Sequence, residues 1–498
     1  MTKKAIIIGA GLGGLSIAAR LCSKGFNVKV LEKNLTIGGK TNILKSGSFK
    51  FDLTATITMI YKDYIDVFSD CGKDYKEYFT FLPLSPTYRC FFDDNTYYDF
   101  FNDLSSLTST VDVITKGDIK NKAGYFNFLA SNYEKYLFTN KNLLSKNFLK
   151  SRNLLNPSTL YTTLGLNTLH SSAHDCKKFI QNEKLFEYLM FQTMYIGMSP
   201  YHSPSIYNLI PAASQMEGLY YIKGGMYSYI KALERLILEK GGKIYPLTQV
   251  NEILFSKNKA IGVMINGKKE LADLIICNSD YTNTITNLIK EPSIKQLIKP
   301  VDNLKYSCSA FILYLALDKK YPNLKVHNIY INKNFKKNIQ APFKGFLSKE
   351  PSLYIYCPSS IDNSVCPENC EIINVTVRVP NLINNKVNWT SKKSEKIKKQ
   401  ILSILSSIDG LYDIEDHIIF DSCITPLDLR DRFDTFGGCA FGLSHSLNES
   451  LLFRPQCAIP KVKNLYFTGA SIHPGNGVSM VLKSSKICSE KILKDFGL

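Results

Sequence analysis

The alternation of apolar runs with glycine and polar breaks is sharpest at the two ends of the chain and near its middle. Residues 5–8 form a short, mostly β-branched run closed by glycines, the pattern of a strand buried on both faces. A helix-period segment follows, with Leu15, Ala18, Ala19 and Cys22 on one face and Gly25 as its stop. A second strand, 28–31, delivers Glu32 at its end. Near the middle, a helix predicted over 227–240 is closed by Gly241-Gly242. Strands follow at 243–245, 250–255 and 260–265, with a Lys257-Asn258-Lys259 turn and an Asn266-Gly267 turn, the pattern of a β-meander. The apolar run 274–277 leads into Asn278-Ser279-Asp280, and 464–470 reads as a strand entering a glycine-rich turn before a helix over 479–494. These units predict an α/β fold on a Rossmann-like parallel sheet. A chain of 498 residues exceeds what one hydrophobic core holds, so two or three lobes are expected.

The first turn carries chemistry. Gly9-Ala10-Gly11-Leu12-Gly13-Gly14 matches G-x-G-x-x-G in its full context of strand, turn, helix, strand and acid. Gly9 permits the tight turn, Gly11 lets backbone approach a pyrophosphate, and Gly14 lets the helix pack closely on the strand. The turn as a whole, Leu12 and Gly13 included, places the helix N–H groups at the phosphates. Glu32, 18 residues after Gly14, stands where ribose hydroxyls are bound. The motif occurs once, so no second dinucleotide fold is expected for NAD(P)H.

Composition narrows the class little. Net charge is +18 and pI about 9.1, which suits nucleic acid, an anionic membrane or an acidic partner equally, or no partner at all. Thirteen cysteines show no Cys-x-x-Cys and no zinc spacing with histidine; Cys366 and Cys370 are the closest pair. Hence no metal site is expected, and the odd count points to a reducing compartment. The N-terminal apolar run is too interrupted by glycine for a signal peptide, and no window is long and apolar enough to span a bilayer. Within 125–169, Tyr125, Phe126, Phe128, Tyr133, Tyr136 and Phe138 alternate with lysines, up to Lys150 and Arg152. That make-up fits either a helix lying in a membrane interface or one whose apolar face is core. No recognised nucleic-acid motif accompanies it.

Beyond Glu32 and Lys33, the loop ending Gly38-Gly39-Lys40 resembles the extended motif of the FAD-dependent amine oxidase and carotenoid desaturase superfamily. Further segments resemble the bacterial phytoene desaturases, most closely the dehydrosqualene (diapophytoene) desaturases. They are Ser48 to Asp52 with Thr56-Ile57, Tyr195 to Pro200 with Pro204 to Pro211, Thr425 to Arg430, Ala440 to Leu443, Phe453-Arg454-Pro455, and Gly469 to Val478. Thr54-Ala55 stands where the family has Gly-Pro, Ile472 where it has Thr, and Asn476 where it has Ala; Asp434 and Phe436 replace Asn and Tyr.

The resemblance implies FAD as cofactor, held by Gly9, Gly11, Leu12, Gly13, Gly14, Glu32, Lys33, Gly39, Lys40, Thr56, Val250, Gly469, Gly477 and Val478. It implies a discontinuous FAD-binding domain from 1–60, 216–290 and 456–498. A mixed α+β substrate domain from 61–110 and 291–455 and a helical, membrane-associated region over 111–215 complete the expected architecture. The implied reaction is desaturation of a hydrophobic polyene by hydride transfer to flavin; the sequence does not identify the electron acceptor, whether oxygen, a quinone or another. His473 stands as a polar residue at the flavin or as the holder of a His-Pro-Gly turn, and Arg454 as a group beside the cofactor or a loop tie. Other readings are a carotenoid oxidase or ketolase, an isomerase, a flavin amine oxidase, or a non-catalytic flavoprotein relative. The expected location is cytoplasmic, on the inner face of the membrane.

Overall fold

The computed structural model describes residues 2–149, 170–298, 300–383 and 385–498. Strand β1 (Lys4–Ile8), helix α1 (Leu12–Ser23) and strand β2 (Asn27–Leu31) form the first unit. β1 sits at the centre of a five-stranded, all-parallel sheet, between β2 and Leu274–Cys277. Lys243–Tyr245 closes one edge and Leu465–Phe467 the other. The central strands are apolar on both faces because three long helices cover one face, and the β-meander with residues 281–298 covers the other. α1 was expected to bury one face, yet every residue from Leu12 to Cys22 is buried. The cause is its position between the sheet and two more helices, Met226–Glu239 and Val478–Phe496.

The meander has three strands, Glu252–Ser256, Lys259–Ile265 and Lys268–Leu271. Asn266 and Gly267 take φ of 46° and 76°, the left-handed pair that a two-residue hairpin turn requires. The third strand, Lys-Lys-Glu-Leu, escaped prediction because an exposed edge strand needs no β-branched residue.

A second sheet of seven strands is mostly antiparallel, in the order Ile418–Ile424, Ser309–Leu317, Glu371–Val379, Leu353–Tyr356, His327–Ile331, Tyr88–Phe92, Tyr97–Phe100. Along Ser309–Leu317 the strand period divides the faces. Phe311, Leu313, Leu315 and Leu317 pack in a core shared with the helix Ser391–Leu405. Ala310, Ile312, Tyr314 and Ala316 face the other way, toward Phe51 and Leu53 of the cofactor side.

Helices Leu104–Thr115, Ile119–Thr139, Glu183–Phe191 and Leu209–Glu217 cover the remaining end. In Ile119–Thr139 the side chains of Tyr125, Phe128, Leu129 and Tyr136 are buried. The described part of the basic aromatic segment therefore turns its apolar face to the protein interior, the core-facing of the two readings its make-up allows. Lys150, Arg152 and the rest of 150–169 lie outside the described residues. No described helix is long and apolar enough to cross a membrane.

Candidate functional site

A cavity of about 660 Å³ runs between the parallel sheet, the second sheet and the helical end. Its first part is backbone. Gly9, Gly11, Leu12 and Gly13 line it, and Gly9 holds φ of 95°. A Cβ on Gly13 would lie 2.4 Å from Asn278 Oδ1 and 3.1 Å from Gly469 Cα, so only glycine fits between these elements. Gly14 does not line the cavity. A Cβ there would sit 2.1 Å from the Gly9 carbonyl oxygen, so its role is close packing of α1 on β1. α1 begins at Gly11 with no side-chain cap, which leaves its first-turn N–H groups for a phosphate.

Glu32 is buried and accepts from Ala10 N and Asn34 N, each at 2.9 Å. These two bonds fix the carboxylate at the end of β2, where it lines the cavity with Lys33. Lys33 pairs with Asp434 at 2.6 Å, which gives one replaced family position a partner. Val250 lines the cavity from a loop tied to β2 by Thr248 N to Glu32 O at 2.7 Å; the strand itself starts two residues later.

Gly39 and Lys40 line the next stretch. Lys40 Nζ donates to the Ala440 carbonyl at 2.9 Å, and Thr54 Oγ1 donates to the Lys40 carbonyl at 2.8 Å. Burial lowers the Lys40 pKa, and Asp280 opposes that shift. Asp280 is itself pushed up by burial and accepts from Ser471 Oγ at 3.0 Å. Thr56 Oγ1 bonds Tyr354 OH at 2.9 Å, which bonds His327 Nδ1 at 2.8 Å. Burial pushes His327 down to about 3, so its imidazole is neutral.

Gly469, Gly477 and Val478 line the cavity at a second helix start. Val478–Phe496 is capped by Gly477, φ 101°, with no side-chain cap, so a second set of free N–H groups belongs to the same space. Two uncapped helix starts, a glycine cradle and a buried carboxylate fit a dinucleotide whose diphosphate and ring both need donors. The apolar arm continues from there, walled by Met59, Ile60, Leu143, Ile206, Ile210 and Ala213.

His473 and Arg454 are corrected by the geometry: neither lines the cavity. His473 Nε2 bonds the Leu143 carbonyl at 3.2 Å and its ring meets Phe148 edge-on at 5.1 Å; burial lowers it to about 4. Arg454 bonds the carbonyls of Ser444, Glu449 and Ala470 at 3.0, 3.1 and 2.9 Å. Both tie loops to one another. Among the other departures, Ile472 is core, Phe436 stacks on Tyr306 at 4.8 Å, and Asn476 lines the cavity with its Oδ1 unpartnered among the described residues.

Asn278, Asp280, Tyr354, Arg378 and Ala213 also line the cavity. Asn278-Ser279-Asp280 was visible as the end of a strand, without a role. The other three had no local signal, since each reaches the cavity only through sheet or helix packing.

The model of the flavin containing amine oxidoreductase family matches residues 12–493. A 4,4'-diapophytoene desaturase (4,4'-diaponeurosporene-forming) of Staphylococcus haemolyticus is 35% identical over 495 residues, 98% of each chain. Its namesake in Staphylococcus aureus is 34% identical over 499 residues, 99% of each. An oxidoreductase from Methanosarcina mazei shares the fold, with TM-score 0.63 and 16% identity over 98% of this chain and 100% of that one. The chain therefore belongs to the flavin containing amine oxidoreductase family, in which it is an FAD-dependent, carotenoid-type desaturase.

Proposed function

We propose that this chain desaturates a linear hydrocarbon polyene of the 4,4'-diapophytoene type, the substrate its relatives are named for. The observation that carries this is the continuity of one cavity, from glycine cradle to apolar arm. When bound, FAD supplies the hydride acceptor that an allylic C–H bond requires. In this reading Gly9, Gly11, Leu12 and Gly13 hold its diphosphate on the start of α1, and Glu32 takes the ribose. Lys33 and Val250 flank the adenosine end; Gly39, Lys40 and Thr56 flank the middle. Gly469, Gly477 and Val478 offer backbone donors to the ring. Met59, Ile60, Leu143, Ile206 and Ile210 exclude water and set which allylic carbon lies nearest the reacting atoms.

Expression in a colourless host that accumulates 4,4'-diapophytoene tests the reading. A longer-wavelength polyene with the same carbon skeleton is expected. Unchanged precursor in the presence of flavin-loaded protein would contradict it, and oxygenated products would select an oxidase.

Delivery from the inner face of the cytoplasmic membrane belongs to the same proposal. Leu104, Val113 and Ile119 are 70%, 65% and 76% exposed on two packed helices, beside exposed Lys116 and Lys120. Exposed apolar side chains in the same segment as exposed lysines suit an anionic bilayer interface. The purified protein should co-sediment with phosphatidylglycerol vesicles and be released by high salt. Equal sedimentation with uncharged phosphatidylcholine vesicles would count against the electrostatic part.

A further inference from the structure

The cavity floor holds a cation that a hydrocarbon cannot use. Ala310 and Ile312 on one strand pair in register with Arg378 and Thr376 on the next, and all four line the cavity from the same face of the second sheet. Arg378 Nε donates to the Met194 carbonyl at 3.1 Å, and the guanidinium lies 4.6 Å from the centre of the Phe441 ring. Nη1 and Nη2 make no hydrogen bond to the described residues, and among these residues no carboxylate pairs with this side chain. The groups that resist the lowering of its pKa by burial are Cys308, Tyr195 and Tyr354, none of them an acid of ordinary strength. The other cations on the cavity wall are provided for: Lys33 has Asp434 at 2.6 Å, and Lys40 has the Ala440 carbonyl and the field of Asp280.

A guanidinium whose Nε is occupied still presents the Nη1–Nη2 edge, a fork that matches the two oxygens of a carboxylate. The arm beside it is apolar, so a ligand that satisfies both must carry an anionic head on a hydrocarbon chain. We infer that Arg378 is the recognition group for a carboxylate-ended polyene. A linear polyene acid occupies this cavity with its carboxylate on the Nη1–Nη2 edge and competes there with the hydrocarbon. The inference rests on the reading of the cavity as a polyene site.

Binding of all-trans-retinoic acid and of all-trans-retinol to the FAD-loaded protein, followed by quenching of protein fluorescence, tests this. The two probes share a skeleton and differ in the head group. The acid should bind about 10-fold more tightly or better, the effect of a charge-assisted bidentate contact. Arg378→Met should bring the two dissociation constants to within about 2-fold, and Arg378→Lys should keep part of the preference as a point charge. The flavin absorbance spectrum should be unchanged in both. Equal affinity in the wild type would overturn the inference, as would a preference that survives Arg378→Met. A shifted or lost flavin band in the variants would assign the guanidinium to the cofactor instead. If Arg378→Met fails to fold, the wild-type ratio and its reduction in Arg378→Lys decide the matter. Desaturation of the hydrocarbon is scored separately, so failure here leaves that reading standing.

Discussion

Substitution of Gly14 by valine should yield protein without bound FAD, with affinity reduced about 100-fold or more. The first side-chain carbon would lie 2.1 Å from the Gly9 carbonyl oxygen, with backbone on both sides of the clash and no flexible group to yield. α1 must retreat from β1, and the first-turn N–H groups retreat with it from the turn that lines the cavity. Overpacking of this kind costs about 3 kcal/mol, which corresponds to about two decades in affinity. Gly25 is the control, with φ of 83° and open space around it. Gly25→Ala should cost about 1–2 kcal/mol of backbone strain and keep the flavin. The flavin-to-protein absorbance ratio after purification reads both outcomes. Retention of FAD by Gly14→Val at wild-type stoichiometry would show that the cradle is not where the cofactor is held.

The second large effect separates the arm from the cradle. Ala213 is buried on the helix Leu209–Glu217 and clusters with Ile60 and Tyr136. Tryptophan at this position fills the arm instead of lining it. Desaturation should fall about 100-fold, because displacement of a substrate by even about 1 Å costs that much. Flavin content should stay at the wild-type level, and Ala213→Val should fall between. Loss of flavin in step with activity would mean that the arm belongs to the cofactor, and full activity would place the polyene elsewhere.

What the sequence reveals follows from how local each feature is. Gly9 to Glu32 was legible because strand, turn, helix and acid succeed one another within one unit, and each residue type is demanded by backbone geometry. Asn266-Gly267 was legible for the same reason. Asn278 was not, since its contact with the Gly9 carbonyl at 3.4 Å spans 269 residues. Nor was Arg378, whose place on the floor depends on strand pairing and on a Met194 carbonyl 184 residues away. The strand Ser309–Leu317 is one unbroken apolar run, which by itself carries no sign of which residues face the cavity.

His473 and Arg454 show the opposite error. Their motifs do come to the cofactor side: Gly469, Gly477 and Val478 line the cavity, as do Gly442 and Ser450. Side-chain direction within a turn is set by tertiary packing, and both side chains point into protein, onto Leu143 and Phe148 in one case and onto a ring of carbonyls in the other. A histidine in a glycine-rich turn and an arginine before a proline thus read as chemistry and serve as fasteners. The aromatic segment near 125–149 left two readings open, because a core-facing stripe and a bilayer-facing stripe share one periodicity.

The central claim is that the flavin and the polyene meet in one cavity and exchange a hydride there. Anaerobic mixing of the purified, FAD-loaded protein with 4,4'-diapophytoene in detergent tests it most directly, with the flavin band and the polyene chromophore followed together. Bleaching of the flavin in step with the rise of a longer polyene, one added double bond per flavin reduced, is the expected result. A flavin that stays oxidised while the precursor is bound and unchanged would contradict it.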